Sequence, residues 1–116
     1  MYKTYKIKYT YASRKDIIEK RQYILTTFKY HQYAENFMNK IKKATSNLKN
    51  FPKKNVITNF QYRGREIYLK VFQSYLIFYV IDEEEAVVTI LRVLQERQNW
   101  KNILEQWIGN DSFILF

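Results

Sequence analysis

After Pro52 the spacing of apolar residues switches from helical to strictly alternating, and that switch constrains the fold more than any other feature of the chain. Four short runs follow: "VITNFQYR", "REIYLKVF", "SYLIFYVID" and "AVVTILRVL". Each is rich in Val, Ile, Tyr and Phe, and they are separated by Gly64, by Gln73-Ser74 and by the acidic turn Asp82 to Glu85. Runs of this length at hairpin spacing predict an antiparallel meander of four strands.

Upstream, "YKTYKIKYTY" alternates lysines with aromatic and β-branched residues, which predicts a half-exposed N-terminal strand. Ser13 and Asp16 form a capping pair for a helix over about 14 to 29, with Ile17, Ile24, Leu25 and Phe28 on one face. A second helix carries the stripe Ala34, Phe37, Met38, Ile41, Thr45 and Leu48 and ends before Pro52, because the residue preceding a proline is pushed out of the helical region. The order β-α-α-β-β-β-β predicts an α+β fold: both helices on one face of a curved sheet, the other face open to a partner, and a short helix at the C-terminus. Residues 1–116 make one domain, of which 103–116 are a C-terminal extension.

The totals exclude several chemistries. There is no cysteine and one histidine, so thiolate catalysis, disulfides and a histidine-rich metal site all lack their residues; no metal and no cofactor is expected. His31 begins the second helix and is assigned no role. Glu83, Glu84 and Glu85 read as solvated turn charge. No apolar run approaches the roughly 20 residues a membrane helix needs, and the N-terminus has no secretory block, which points to the cytoplasm. Residues 1–54 hold 14 Lys and Arg against 3 Asp and Glu, whereas residues 55–116 hold 6 against 8. The basic half should attract polyanions or an acidic partner.

In the third run Tyr75, Ile77 and Tyr79 alternate with Leu76, Phe78 and Val80, so both faces are apolar. If the tyrosines pack under the helices, Leu76 and Phe78 face the other way and need a cover. Ile103, Leu104, Trp107 and Ile108 of "ILEQWIGNDSFILF" suit that purpose, with Phe113 to Phe116 as an apolar end. The cover is either permanent core or a segment that a partner displaces.

Several features stand in a fixed order: a helical pair ending in Leu48, Phe51 and Pro52; Arg65 after Gly64; and the closing block "SYLIFYVIDEEEAVVTILRVLQERQNW". Together they resemble the RelE/ParE superfamily of toxins from bacterial type II toxin-antitoxin systems. The signature falls on Tyr75, Tyr79, Val88, Ile90, Arg92, Val93, Leu94, Arg97 and Trp100, and the resemblance runs from about Tyr2 to Leu104. It implies a toxin that arrests growth and is neutralised by a cognate antitoxin, with toxin chains able to pair within the complex. One branch, ParE-like, binds DNA gyrase. The other, RelE-like, cuts messenger RNA on the ribosome without a metal.

This sequence sits nearer the ParE-like branch. Leu76 stands where the nucleases usually carry an arginine between the tyrosines, and Gln95 where many relatives have His or Tyr; neither titrates. For the nuclease alternative the catalytic candidates are Lys53, Arg65 and Arg97, with Lys54 able to replace Lys53. For target or phosphate contact they are Lys54, Arg63, Arg65, Arg92, Arg97 and Trp100, because cationic forks and exposed aromatics suit either surface. Leu76, Phe78 and Trp107 are the candidates for antitoxin contact. Arg92, Arg97 and Trp100 are expected together at the rim of the open face, although an arginine in a strand is also often a simple ion-pair partner.

Overall fold

The computed structural model describes residues 3–114, with side chains described as far as residue 110. The elements are β1 (Lys6–Tyr9), α1 (Tyr11–Phe28), α2 (His31–Ser46), two short 3-10 turns (Asn47–Lys49 and Pro52–Lys54), β2 (Val56–Tyr62), β3 (Arg65–Phe72), β4 (Tyr75–Asp82), β5 (Val87–Gln95) and α3 (Trp100–Ile114). This is the expected α+β order. The meander is antiparallel throughout, and the two-residue turn at Arg63 and Gly64 has positive φ at both positions, 52° and 80°, the conformation whose twist matches a hairpin.

One pairing has no local signature in the sequence. The sheet order is β1-β5-β4-β3-β2, and β1 runs parallel to β5, with Lys6 opposite Val87 and Tyr9 opposite Ile90. Parallel neighbours require a long crossover, which the helical hairpin and the first three meander strands supply.

Two cores sandwich the sheet. On one face Ile17 of α1, Phe37, Ile41 and Ala44 of α2, and Leu48 close over Ile77, Tyr79, Val88, Ile90 and Val93. Two hydrogen bonds seat the end of α2: Lys70 Nζ donates to the Ala44 carbonyl at 2.7 Å, and the Tyr9 hydroxyl meets Thr45 Oγ1 at 2.7 Å. On the other face Ile67, Leu76, Phe78, Val80, Leu91 and Leu94 pack under Leu104 of α3, bordered by Trp100, Ile103, Trp107 and Ile108. The alternation read in β4 therefore places Tyr75, Ile77 and Tyr79 beneath the helical hairpin and Leu76 and Phe78 beneath the C-terminal segment. Each large side chain so removed from water contributes about 1.5 to 3 kcal/mol. The side chains of the apolar end Phe113 to Phe116 lie outside those described.

Three expectations are corrected. The helix starts at Tyr11, and its cap is Thr10, whose Oγ1 accepts from the Ser13 N–H at 3.0 Å; Ser13 is already inside the first turn. Phe28 does not bury with Ile17: it is 51% exposed, in the last turn of α1 before Lys29 caps the helix in a left-handed conformation (φ 59°). Glu83 is not a free turn charge, since it binds Lys53 Nζ at 2.9 Å and accepts from the Tyr5 hydroxyl at 2.9 Å, tying the segment ahead of β1 to the β4–β5 turn.

Candidate functional site

The six cationic and aromatic candidates for target contact do not form one patch. Arg92 is inside the molecule. β5 carries a bulge between its pairing of Arg92 with Phe78 and its pairing of Ile90 with Tyr79, so Leu91 is the extra residue and both Leu91 and Arg92 are turned to the same side. β1 pairs with β5 only as far as Ile90, which leaves the next residues of β5 without a strand neighbour on that edge. Asp16 of α1 fills that place. Its Oδ2 accepts from Arg92 Nε at 2.8 Å and from the Val93 N–H at 3.0 Å, while its Oδ1 accepts from Arg92 Nη2 at 2.8 Å. The two side chains are only 16% and 9% exposed. A bidentate pair of this kind is a tie between helix and sheet, not a free contact.

Trp100 is likewise drawn inward. It opens α3 and lies over Phe78 with ring centroids 5.3 Å apart, and edge-on to Phe60 at 6.4 Å. Trp107 stacks flat on Tyr62 at 5.1 Å. Of the three residues expected together at the rim, only Arg97 stays exposed there.

Of the three candidates for RNA cleavage, Lys53 and Arg65 lie together and Arg97 lies apart. Arg65 is held at the far end of β4: its Nη2 is 3.3 Å from Asp82 Oδ2, and its Nη1 donates to the Ile81 carbonyl at 3.1 Å. Lys53 stands beside it on Glu83, whose carboxyl is held below its usual range first by the hydrogen bond from Lys53 and then by that from Tyr5; the same contact raises the Lys53 ammonium. Lys54 lies over the Phe51 ring at 4.5 Å, and Arg63 over the Tyr62 ring at 5.1 Å. Arg97 follows Gln95, which pairs with Tyr75 at the opposite end of β4. The strand is eight residues long from end to end, roughly 23 Å at about 3.3 Å per step.

Around Arg97 the structure assembles a cleft of about 970 Å³ between the outer half of α1, the start of α2 and the ends of β4 and β5. Lys20, Tyr23, Tyr33, Tyr75 and Gln98 line it with Arg97. Gln98 is fixed by its own Oε1, which accepts from the Gln95 N–H at 2.7 Å. Partial burial lowers the Lys20 ammonium below its ordinary value, and partial burial raises the Tyr75 phenol against the opposing pull of Arg97. Glu19, the one carboxylate in the lining, leans toward Lys15 at 4.0 Å. The cleft thus has one exposed cation, Arg97, one partly buried cation, Lys20, and several partly exposed rings.

Sequence reasoning found Arg97 and Tyr75 and missed Lys20, Tyr23, Tyr33 and Gln98. Lys20 and Tyr23 follow Asp16 at helical intervals of four and seven, which is the one local signal that they share its face. Their arrival beside Arg97 depends on where α1 docks.

The family model of the ParE toxin of type II toxin-antitoxin systems, parDE, matches residues 7–100. No curated protein matches the sequence. Among solved structures, the fold is similar to a chain of the chromosomal ParDE toxin-antitoxin system from P. aeruginosa. That likeness has a TM-score of 0.64 at 11% identity, covering 79% of this chain and 96% of that one. It is also similar to a chain of the RelBE2 toxin-antitoxin complex from Mycobacterium tuberculosis, with a TM-score of 0.54 at 21% identity, covering 82% and 94%. The matched segment takes in β1, the helical hairpin and the whole meander and stops where α3 begins, so the chain belongs to the ParE toxin family of type II toxin-antitoxin systems.

Proposed function

We propose that this toxin arrests growth in the ParE-like manner, by binding an essential target such as DNA gyrase, and that a cognate antitoxin neutralises it. The observation that carries this reading is the separation of Lys53 and Arg65 from Arg97 along β4. Cleaving a phosphodiester needs a proton acceptor, a proton donor and cationic donors around one phosphate. A contact surface has no such requirement, and Arg97 has no ion-pair or hydrogen-bond partner for its guanidinium among the described residues. The solved relatives come from a ParDE system and a RelBE2 complex, which supports an antitoxin as partner. Leu76 and Phe78, expected to meet that antitoxin, are 4% and 0% exposed beneath α3, so contact with them requires α3 to leave; Trp107 keeps a partly exposed face.

Inducible expression with pulse labels for DNA and protein synthesis tests the reading. Early loss of DNA synthesis with translation intact is expected. Early loss of protein synthesis with cut transcripts would overturn it in favour of the ribosome-dependent nuclease. Two substitutions sharpen the result. Arg97→Ala should weaken growth arrest at least tenfold, scored as the inducer level needed for half-maximal arrest, while the urea midpoint stays within the narrow range of surface changes. Lys53→Ala should leave both unchanged, because its ion pair with Glu83 is exposed and such pairs contribute little. A folded Lys53→Ala chain that no longer arrests growth would place chemistry at the opposite end of the sheet.

A further inference from the structure

The cleft at Arg97 does not stop at the strand ends. A second hollow of about 330 Å³ adjoins it, and the two share Ile24, Tyr33 and Tyr75. Asn36, Lys40 and Phe72 line the continuation, so one groove runs from Lys20 and Arg97 past the shared tyrosines to Lys40. Its cations come from three different elements: α1, the turn after β5, and α2. Its rings are partly or mostly exposed, with Tyr23 at 65% and Tyr33 at 51%. Tyr33 is steadied by edge-on contacts at 5.7 Å with both Phe28 and Tyr30. Exposed, braced aromatic rings at intervals along a basic groove are the arrangement that receives unstacked bases while the cations follow the phosphates.

We propose that this groove binds a single-stranded polynucleotide, with phosphates against Lys20, Arg97 and Lys40 and bases on Tyr23 and Tyr33. Charge complementarity argues for this occupant. Lys20 is partly desolvated and feels Asp16 and Glu19 nearby without forming an ion pair with either, and Arg97 and Lys40 are exposed. A phosphodiester chain brings one negative charge per nucleotide to these three cations. An acidic protein segment would also satisfy the cations, but the rings border on the side-chain amides of Asn36 and Gln98, which suit base edges better than aliphatic side chains. Duplex DNA keeps its base faces covered and leaves the tyrosines unused. The inference does not depend on which enzyme the toxin arrests. It adds that a nucleic-acid strand, such as one held by a DNA- or RNA-handling target, is part of what the toxin touches.

The test is fluorescence anisotropy of the full chain with labelled 12-mers of deoxythymidine and of uridine, a 12-base-pair duplex, and unlabelled poly-glutamate as competitor. No gyrase or ribosome is present, so the outcome is separate from that of the growth-arrest reading. Binding to at least one single strand is expected to exceed binding to the duplex. The affinity should fall with salt at a logarithmic slope of about −2, as three phosphate contacts predict. Arg97→Gln and Lys20→Gln should each flatten that slope. Tyr33→Ala should weaken binding about tenfold at unchanged slope, a loss within the range that one stacked base contributes. A preference for the deoxy or ribo strand would identify the polymer. The proposal is overturned if neither strand binds, if the duplex binds as well as either strand, or if Tyr33→Ala is silent while poly-glutamate competes fully. The last result would assign the groove to an acidic protein.

Discussion

Replacing Asp16 by alanine is expected to lower the stability of the fold by about 3 to 5 kcal/mol, because it leaves Arg92 as an unpaired charge at a site that is mostly closed to water. The loss is larger than that of one ion pair. The same carboxylate accepts the Val93 N–H, so a backbone donor of β5 also loses its partner. Urea unfolding would read the effect as a large drop in midpoint at unchanged slope. Replacing both residues with leucine should recover part of the deficit, since removing both partners of a buried pair costs less than removing one. A drop below about 1 kcal/mol for Asp16→Ala would mean that the pair behaves as an exposed one. Arg92 would then return to the contact surface.

Tyr79→Ala should cost about as much, roughly 3 to 5 kcal/mol, for a different reason: it empties a fully buried volume at the centre of the sheet. Tyr79 stacks on Tyr68 at 5.4 Å, its hydroxyl donates to the Pro52 carbonyl, and it accepts from Asn55 Nδ2 at 3.0 Å. One side chain therefore joins the core to the turn that ends the helical hairpin. Tyr79→Phe keeps the volume and breaks only those bonds, so about 1 to 3 kcal/mol is expected. The phenol also gives a pH signature. Burial is the main reason its pKa is raised to about 12, above the ordinary 10.0, so the folded state favours the protonated form. That stabilisation is fully present below about pH 10 and is lost as pH rises through about 12. Between those limits wild type should lose stability faster than Tyr79→Phe, which has no phenol there to ionise. Parallel loss in both chains would assign alkaline unfolding to other groups.

Much of the architecture was legible in the residues. The alternation in β4 placed Tyr79 under the helices and Phe78 under α3, because a strand sends successive side chains to opposite faces whatever lies above it. Gly64 marked a turn for reasons that act within a few residues, whereas α2 ends at Ser46, well ahead of the Pro52 that reads as its stop. The site was less legible. Arg92 read as contact surface because its partner is 76 positions away in the chain. Asp16 read as a cap because its spacing from Ser13 fits a capping box, whereas Thr10 had already taken that role. The bulge that aims Arg92 inward leaves no mark in the composition of "ILRVL".

What the sequence determined by itself is what short-range forces decide: the order of strands and helices, the two faces of β4, and the excess of positive charge in the first half. The tertiary structure decided what depends on docking between distant segments. It set β1 parallel beside β5, sent Arg92 to Asp16, closed α3 over Leu76 and Phe78, and put Lys20 and Arg97 on one groove while holding Lys53 and Arg65 at the other end of the sheet. Periodicity says which face a residue occupies. Only packing says which other face it meets.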